Sequence, residues 1–314
     1  MKYLTLQSGD RMPALGLGTW QAAKGQVAQA VTEALRIGYR HIDCAHVYGN
    51  EAEIGETLAT TDVPRNELWI TSKLWNNSQM PEDVRPALKG SLKALGLEYL
   101  DLYLVHWPVQ IRSDVTYPQS SADLVPWTTE HMLETWGALE ECVDEGLVRN
   151  IGTSNFSTKK ILAIQERCTL RPAVSQVEMH PYFQQNKMRA FCAANGMIVT
   201  GFAPLGSKHR PAHQIKADEP SLLDHPHILS IAEKHGTTSA AVLLGWAVAR
   251  GTSVIPKSVN PGRLQQNLAA ADLALDEEDM AAINAMDAGY RFLDGAHWMM
   301  DGSPYTPENL WDGE

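Results

Sequence analysis

The chain has 314 residues, 44% hydrophobic and 20% charged, with a net charge of −11. That size and composition allow a large buried core, and the acidic balance argues against nucleic acid or an anionic membrane as the main partner. No stretch reaches the roughly 18 apolar residues of a membrane span. Residues 1–6 lack the apolar run of a signal peptide, and Cys44, Cys142, Cys168 and Cys192 show no CxxC or metal-type spacing. A soluble, cytoplasmic protein with reduced thiols is expected.

Residues 3–13 alternate around Ser8-Gly9-Asp10 and read as a hairpin. A strand–helix rhythm follows. Leu15-Gly16-Leu17-Gly18-Thr19 is a short strand, and Val27, Ala30, Val31, Ala34 and Leu35 recur with the period of a helix that buries one face. Arg40-His41-Ile42 is the second strand and 51–59 the second helix. Leu68-Trp69-Ile70-Thr71-Ser72-Lys73 is the third strand. Pro81 opens the third helix, where its missing N–H costs nothing, and Gly96 ends it. Residues 100–105 are apolar apart from Asp101, which suits a parallel strand buried on both faces.

Residues 109–129 carry Pro118, Pro126 and many small polar side chains, which predicts a long binding loop or lid. Then come a helix at 130–146, a strand at 148–153, a helix from the Ser157 cap to Arg167, a strand at 173–177, a helix at 185–195 and a strand at 197–202. A second long loop covers 203–225. Helices at 226–235 and 239–250 precede the last strand, 253–255. Further helices start at Asn260-Pro261 and Asp276-Glu277, and 287–314 reads as irregular. Eight strands with a helix after each predict an α/β fold: a closed (β/α)8 TIM barrel, one domain over 1–314, with an N-terminal β-hairpin, long loops after strands 4 and 7 and an irregular C-terminal tail. The competing reading is an open doubly wound sheet, but Gly16-Leu17-Gly18 lacks the third glycine of the dinucleotide fingerprint.

Active sites of such barrels sit at the C-terminal strand ends. Thr19 and Trp20, Asp43, Lys73 and Trp75, His106 and Trp107, Ser154 and Asn155, Gln176, and Lys257 and Ser258 fall there, with Tyr48 in the loop after the second strand. No acyl-transfer triad and no cluster at metal-ligand spacing is present, so no metal is expected. An Asp, a Tyr, a Lys and a His together suit proton donation to a carbonyl. A tyrosine hydroxyl, with a pKa of about 10, is a poor acid at neutral pH; an ammonium at Lys73 lowers that value, and Asp43 can hold the ammonium. Spacing alone leaves open a structural Asp43–Lys73 pair, a core His106 and tryptophans that merely pack. Lys257 and Arg263 read either as a solvated face or as a phosphate site. His41 and His46 read as scaffold.

Asp43-Cys44-Ala45-His46-Val47-Tyr48-Gly49-Asn50-Glu51, Ile70-Thr71-Ser72-Lys73-Leu74-Trp75, Asp101-Leu102-Tyr103-Leu104-Val105-His106-Trp107-Pro108, Ile151-Gly152-Thr153-Ser154-Asn155-Phe156 and Ile255-Pro256-Lys257-Ser258-Val259 occur in this order. Together they resemble the aldo-keto reductase superfamily, over about 15–267. The resemblance implies an oxidoreductase that moves a hydride from NADPH to the carbonyl of an aldehyde or ketone, of the aldehyde or aldose reductase type. Tyr48 would be the general acid, tuned by Lys73 and Asp43, with His106 orienting the substrate. It implies cofactor contacts from Thr19, Trp20, Asp43, Ser154, Asn155, Gln176, Phe202, Leu205, Ser207, Lys257, Ser258, Val259, Arg263, Gln266 and Asn267. It implies a substrate pocket of Trp20, Val47, Tyr48, Trp75, His106, Trp107, Trp127 and Trp298.

Three positions depart from the family pattern. Phe202 stands where members carry the tyrosine that stacks on the nicotinamide, and it keeps the stacking face. Gln266 stands where many have Glu, and Cys44 where many have Thr. A monomer acting on a small carbonyl compound is expected. With no basic substrate pocket in view, that compound is a neutral aldehyde or sugar aldehyde. The alternative is a cofactor-binding regulatory or structural protein of the same fold; the intact Asp43, Tyr48, Lys73 and His106 favour the enzyme.

Overall fold

The structure is a computed structural model that describes every residue except 1, 209, 212, 213 and 217. β1 (Tyr3–Thr5) and β2 (Arg11–Pro13) form the expected hairpin, with Tyr3 opposite Pro13. Leu6, just after β1, and Met12, within β2, pack on Trp69, Leu102, Leu104 and Val174, so the hairpin stoppers the end of the sheet away from the polar strand ends.

The strand–helix rhythm then runs β3 (Leu17–Gly18), α1 (Gln26–Ile37), β4 (His41–Asp43), α2 (Glu51–Leu58), β5 (Trp69–Leu74), α3 (Pro81–Leu95) and β6 (Leu100–Val105). The loop predicted at 109–129 contains a small antiparallel pair, β7 (Gln110–Ile111) with β8 (Leu124–Val125). The rhythm resumes with α4 (Thr129–Asp144), β9 (Val148–Ser154), α5 (Thr158–Gln165), β10 (Val174–Glu178), α6 (Asn186–Ala194) and β11 (Ile198–Phe202). It finishes with α7 (Pro226–Lys234), α8 (Ser239–Ala249), β12 (Ser253–Val254), α9 (Pro261–Ala269), α10 (Glu277–Asn284) and α11 (Pro307–Trp311).

The sheet order is β12-β11-β10-β9-β6-β5-β4-β3, all parallel. Bridges from Leu15 to Val254 and from Gly18 to Lys257 join its two edges. The fold is the (β/α)8 barrel. Its first strand is shorter than expected because closure is made by isolated bridges rather than a full ladder. The chains come close at this seam: a Cβ on Gly18 would lie 2.5 Å from the Ile255 carbonyl oxygen, so only glycine fits.

The helices bury the faces that their periodicity marks, Val27, Ala30, Val31, Ala34 and Leu35 in α1 for example. The tail is more ordered than its composition suggested. Thr306 caps α11, Asn309 completes a capping box and Pro307 takes the first helical position.

Candidate active site

Asp43 ends β4 and Lys73 lies in β5, the next strand, and both side chains are buried. Lys73 Nζ donates to Asp43 Oδ2 at 2.6 Å and to the Cys44 carbonyl at 2.8 Å. Gln176 Nε2, from the far side of the barrel, donates to Asp43 Oδ1 at 2.8 Å. Both carboxylate oxygens are therefore engaged. Burial alone would drive the Lys73 ammonium toward neutrality; Asp43, joined by Tyr48 and Cys44, outweighs it and leaves the pKa above that of an ordinary lysine. The result is a fixed positive charge in a buried corner.

After β4 the chain turns through a short 3-10 stretch, His46–Tyr48, and Gly49 completes the turn at φ 67°. This sets Lys73 Nζ 5.1 Å from the centre of the Tyr48 ring. The His106 ring meets Tyr48 edge-on at 5.8 Å and Trp75 at 5.2 Å. The sequence led us to expect a lowered Tyr48 pKa. Here burial pushes the phenol up to about 12, with Lys73 pulling the other way, because desolvation of the phenolate outweighs the cation. Burial, helped by Lys73, holds His106 well below the usual imidazole range, so its ring is neutral at physiological pH. Its Nδ1 is buried with no hydrogen-bond partner among the described residues.

On the opposite flank β9 delivers Ser154 and Asn155, both buried. Asn155 adopts the left-handed conformation, φ 63°, and its Nδ2 donates to the His106 carbonyl at 2.9 Å and to Ser154 Oγ at 3.2 Å. Its backbone N–H donates to the Gln176 carbonyl at 3.0 Å. Thr19 Oγ1 donates to the Asp43 carbonyl at 2.8 Å, and half-buried Trp20 follows it. Phe202 ends β11 opposite Glu178, and half-buried Leu205 and Ser207 lie in the loop beyond. The Ser207 carbonyl accepts from Arg210 Nη1 at 2.9 Å, and Arg210 pairs with Glu219.

Past the barrel seam come Lys257, Ser258 and Val259, then Arg263, Gln266 and Asn267 on α9. Partial burial and the nearby Arg263 lower the Lys257 pKa. Neither cation has a carboxylate partner among the described residues. Ser258 and Asn267 are buried between strand end and helix, whereas Gln266 is exposed.

The remaining side of the mouth is aromatic. Trp75, Trp107 and Trp298 are buried together, with Val47 against them. Trp298 lies 5.9 Å from Trp75 and 5.8 Å from Trp107, ring centre to ring centre. Trp127 packs on the edge of this cluster and lines a separate small cavity with Gln79, Gln110 and His131. Tyr117, Tyr305 and Trp311 escaped the sequence reading, and Glu178 carried no role in it. Tyr117 donates to the Val47 carbonyl at 3.3 Å and lies 5.9 Å from Trp75. Tyr305 Oη donates to the Val125 carbonyl at 2.6 Å and accepts from Gln110 N at 2.9 Å, which ties tail to β7–β8. Trp311 packs on Trp107. Glu178 is wholly buried; it is bonded to His180 and accepts the backbone N–H groups of Phe292 at 2.6 Å and Leu293 at 2.8 Å. A charged residue at the end of an apolar strand was the one signal available for it. Among the described residues no group of three or more His, Cys, Asp or Glu side chains could hold a metal, and no helix is long and apolar enough to cross a membrane.

Buried Asp43, Lys73 and His106 and half-buried Tyr48 thus gather at the C-terminal mouth of a (β/α)8 barrel. The family model "Aldo/keto reductase family" matches residues 14–288. An aldo/keto reductase of Synechocystis sp. is 52% identical over 316 residues, which cover 99% of this chain and 97% of that protein. Aldo-keto reductase family 1 member A1 of Rattus norvegicus is 46% identical, covering 97% of each chain. The solved aldose reductase of Schistosoma japonicum superposes with a TM-score of 0.87 at 39% identity, covering 96% of this chain and 98% of that one. The chain belongs to the aldo/keto reductase family and is an oxidoreductase of that class.

Proposed function

We propose that the protein reduces the carbonyl of an aldehyde or ketone to the alcohol with NADPH, in the manner of an aldehyde or aldose reductase. The observation that carries this reading is the corner itself: a protonated phenol beside a permanent ammonium, the ammonium pinned by a carboxylate, and a neutral imidazole across from the phenol. NADPH, when bound, supplies the hydride. Tyr48 gives its proton to the carbonyl oxygen as negative charge develops there. Lys73 stabilises the phenolate left behind, and Asp43 keeps Lys73 charged and in place. His106 hydrogen-bonds the carbonyl oxygen and fixes its direction.

The residues suit that cofactor. Ser154, Asn155 and Gln176 offer buried amide and hydroxyl groups for the carboxamide, with Asp43, Thr19 and Trp20 beside them. Phe202 offers a stacking face, and Leu205 and Ser207 a cover for the pyrophosphate. Lys257, Ser258, Val259, Arg263, Gln266 and Asn267 form the adenosine end. Two cations without a carboxylate between them favour NADPH over NADH, because a bare ribose hydroxyl offsets neither charge. Trp20, Val47, Trp75, Trp107, Trp127 and Trp298 make the substrate side apolar, which favours a neutral aldehyde, sugar aldehydes included. On the acidic balance and the four free cysteines, we read the chain as a monomeric, cytoplasmic, single-domain enzyme without nucleic-acid or membrane partners.

The test is NADPH consumption, with NADH in parallel, across aliphatic, aromatic and sugar aldehydes. Turnover of neutral aldehydes, faster with NADPH, is expected. NADPH binding with no turnover of any aldehyde would instead favour a regulatory protein of this fold.

A further inference from the structure

Glu51 opens α2 three residues after Tyr48, and it is 4% exposed. A carboxylate this deep is costly unless its oxygens are engaged. Here they reach two different segments. Oε1 accepts from Ser72 Oγ at 2.5 Å. Ser72 precedes Lys73, and alternation along β5 sends it to the helix side while Lys73 faces the barrel interior. Oε2 lies 3.8 Å from Nδ1 of His46, the residue that opens the turn carrying Tyr48. The Tyr103 hydroxyl, on the residue opposite Ser72 across β5–β6, has no hydrogen-bond partner among the described residues. The carboxylate thus engages the Lys73 strand and the Tyr48 turn while a nearby buried hydroxyl goes unserved.

We propose that Glu51 is a positioning residue for the proton donor: through Ser72 and His46 it braces the Tyr48 turn against the strand of Lys73 and so sets the separation of phenol and ammonium. It touches neither substrate nor cofactor. The inference rests on Tyr48 being the general acid. Coulomb stabilisation of the phenolate weakens as the separation grows, so a cut brace makes Tyr48 a weaker acid. The adenosine end, across the barrel seam, is unaffected.

Four variants test this: Glu51→Ala, Glu51→Gln, Ser72→Ala and Tyr48→Phe. Each is measured for kcat, aldehyde KM, NADPH affinity by fluorescence quenching, and the alkaline limb of the pH profile for reduction. Glu51→Ala is expected to lower kcat about tenfold with NADPH affinity nearly unchanged, and to move the alkaline limb to higher pH, because Lys73 no longer lowers the phenol pKa as far. Glu51→Gln keeps an oxygen for Ser72 and recovers most of kcat. If Glu51→Ala does not fold, Ser72→Ala reads the same link by removing one hydroxyl, and a loss of kcat with the same limb shift supports the brace. Native kcat and limb in Ser72→Ala and Glu51→Ala would overturn the proposal. So would parallel losses of kcat and NADPH affinity with the limb unmoved, the mark of a purely structural role. Full activity in Tyr48→Phe would remove the acid assignment instead, so the two failures are distinguishable.

Discussion

The two sides of the barrel mouth are built from different materials. The charged corner takes Asp43, Lys73 and Gln176 from three barrel strands and His106 from the end of a fourth, and it is held by charge and short hydrogen bonds. The facing wall takes Trp107, Trp298, Tyr305 and Trp311 from loops and the tail, and it is held by aromatic packing. The tail is held by Tyr305 on β7–β8, by the Phe292 and Leu293 N–H groups on Glu178, and at its end by Asp312, which meets Ser157 Oγ at 2.6 Å and Lys160, and by Glu314, which meets Thr158 and Lys187. Strand geometry cannot drift without breaking the barrel, whereas a pinned tail can be rebuilt. Rate should therefore reside in the corner and selectivity in the wall.

Substitutions on either side can break or sharpen this contrast. Tyr48→Phe keeps the ring and removes the proton, so kcat should fall roughly 10²–10⁴-fold in single-turnover assays while NADPH still binds. Asp43→Ala leaves the Lys73 ammonium buried without its counter-charge, and urea unfolding should show a loss of about 3–5 kcal/mol. On the wall, Trp298→Ala should change the relative kcat/KM for large and small aldehydes about tenfold while kcat for the small ones holds. Asp312→Ala should cost the least, about 2 kcal/mol seen as earlier tail release in hydrogen exchange. A Trp298→Ala variant with a collapsed kcat for every substrate would erase the distinction between rate and selectivity.

The corner was legible because parallel strand order decides which strand ends are neighbours. Once eight strands were counted, Asp43, Lys73, His106 and Gln176 had to converge. Two things about it were not legible. The net pKa of Tyr48 depends on how dry the turn is, and composition does not report burial. The bonds of Gln176 to Asp43 and of Glu51 to Ser72 require side-chain directions across 133 and 21 residues of separation. The wall was less readable because its contacts join distant loops, Tyr305 to Gln110 for example. Its α11 did carry a start signal in Thr306-Pro307, masked by the glycines and prolines around it.

The central claim is that Tyr48 moves the proton under the influence of Lys73. The pH dependence of alcohol oxidation with NADP+ tests it most directly, since there Tyr48 must act as the base. Burial pushes its phenol up to about 12, so phenolate is scarce near neutrality. Below the phenol pKa, kcat/KM for oxidation should rise about tenfold per pH unit, and in Lys73→Met the rise should extend to higher pH because the lowering influence is gone. His106, already neutral, adds no step in this range. A flat profile across neutral and mildly alkaline pH, or an unchanged one in Tyr48→Phe, would contradict the assignment.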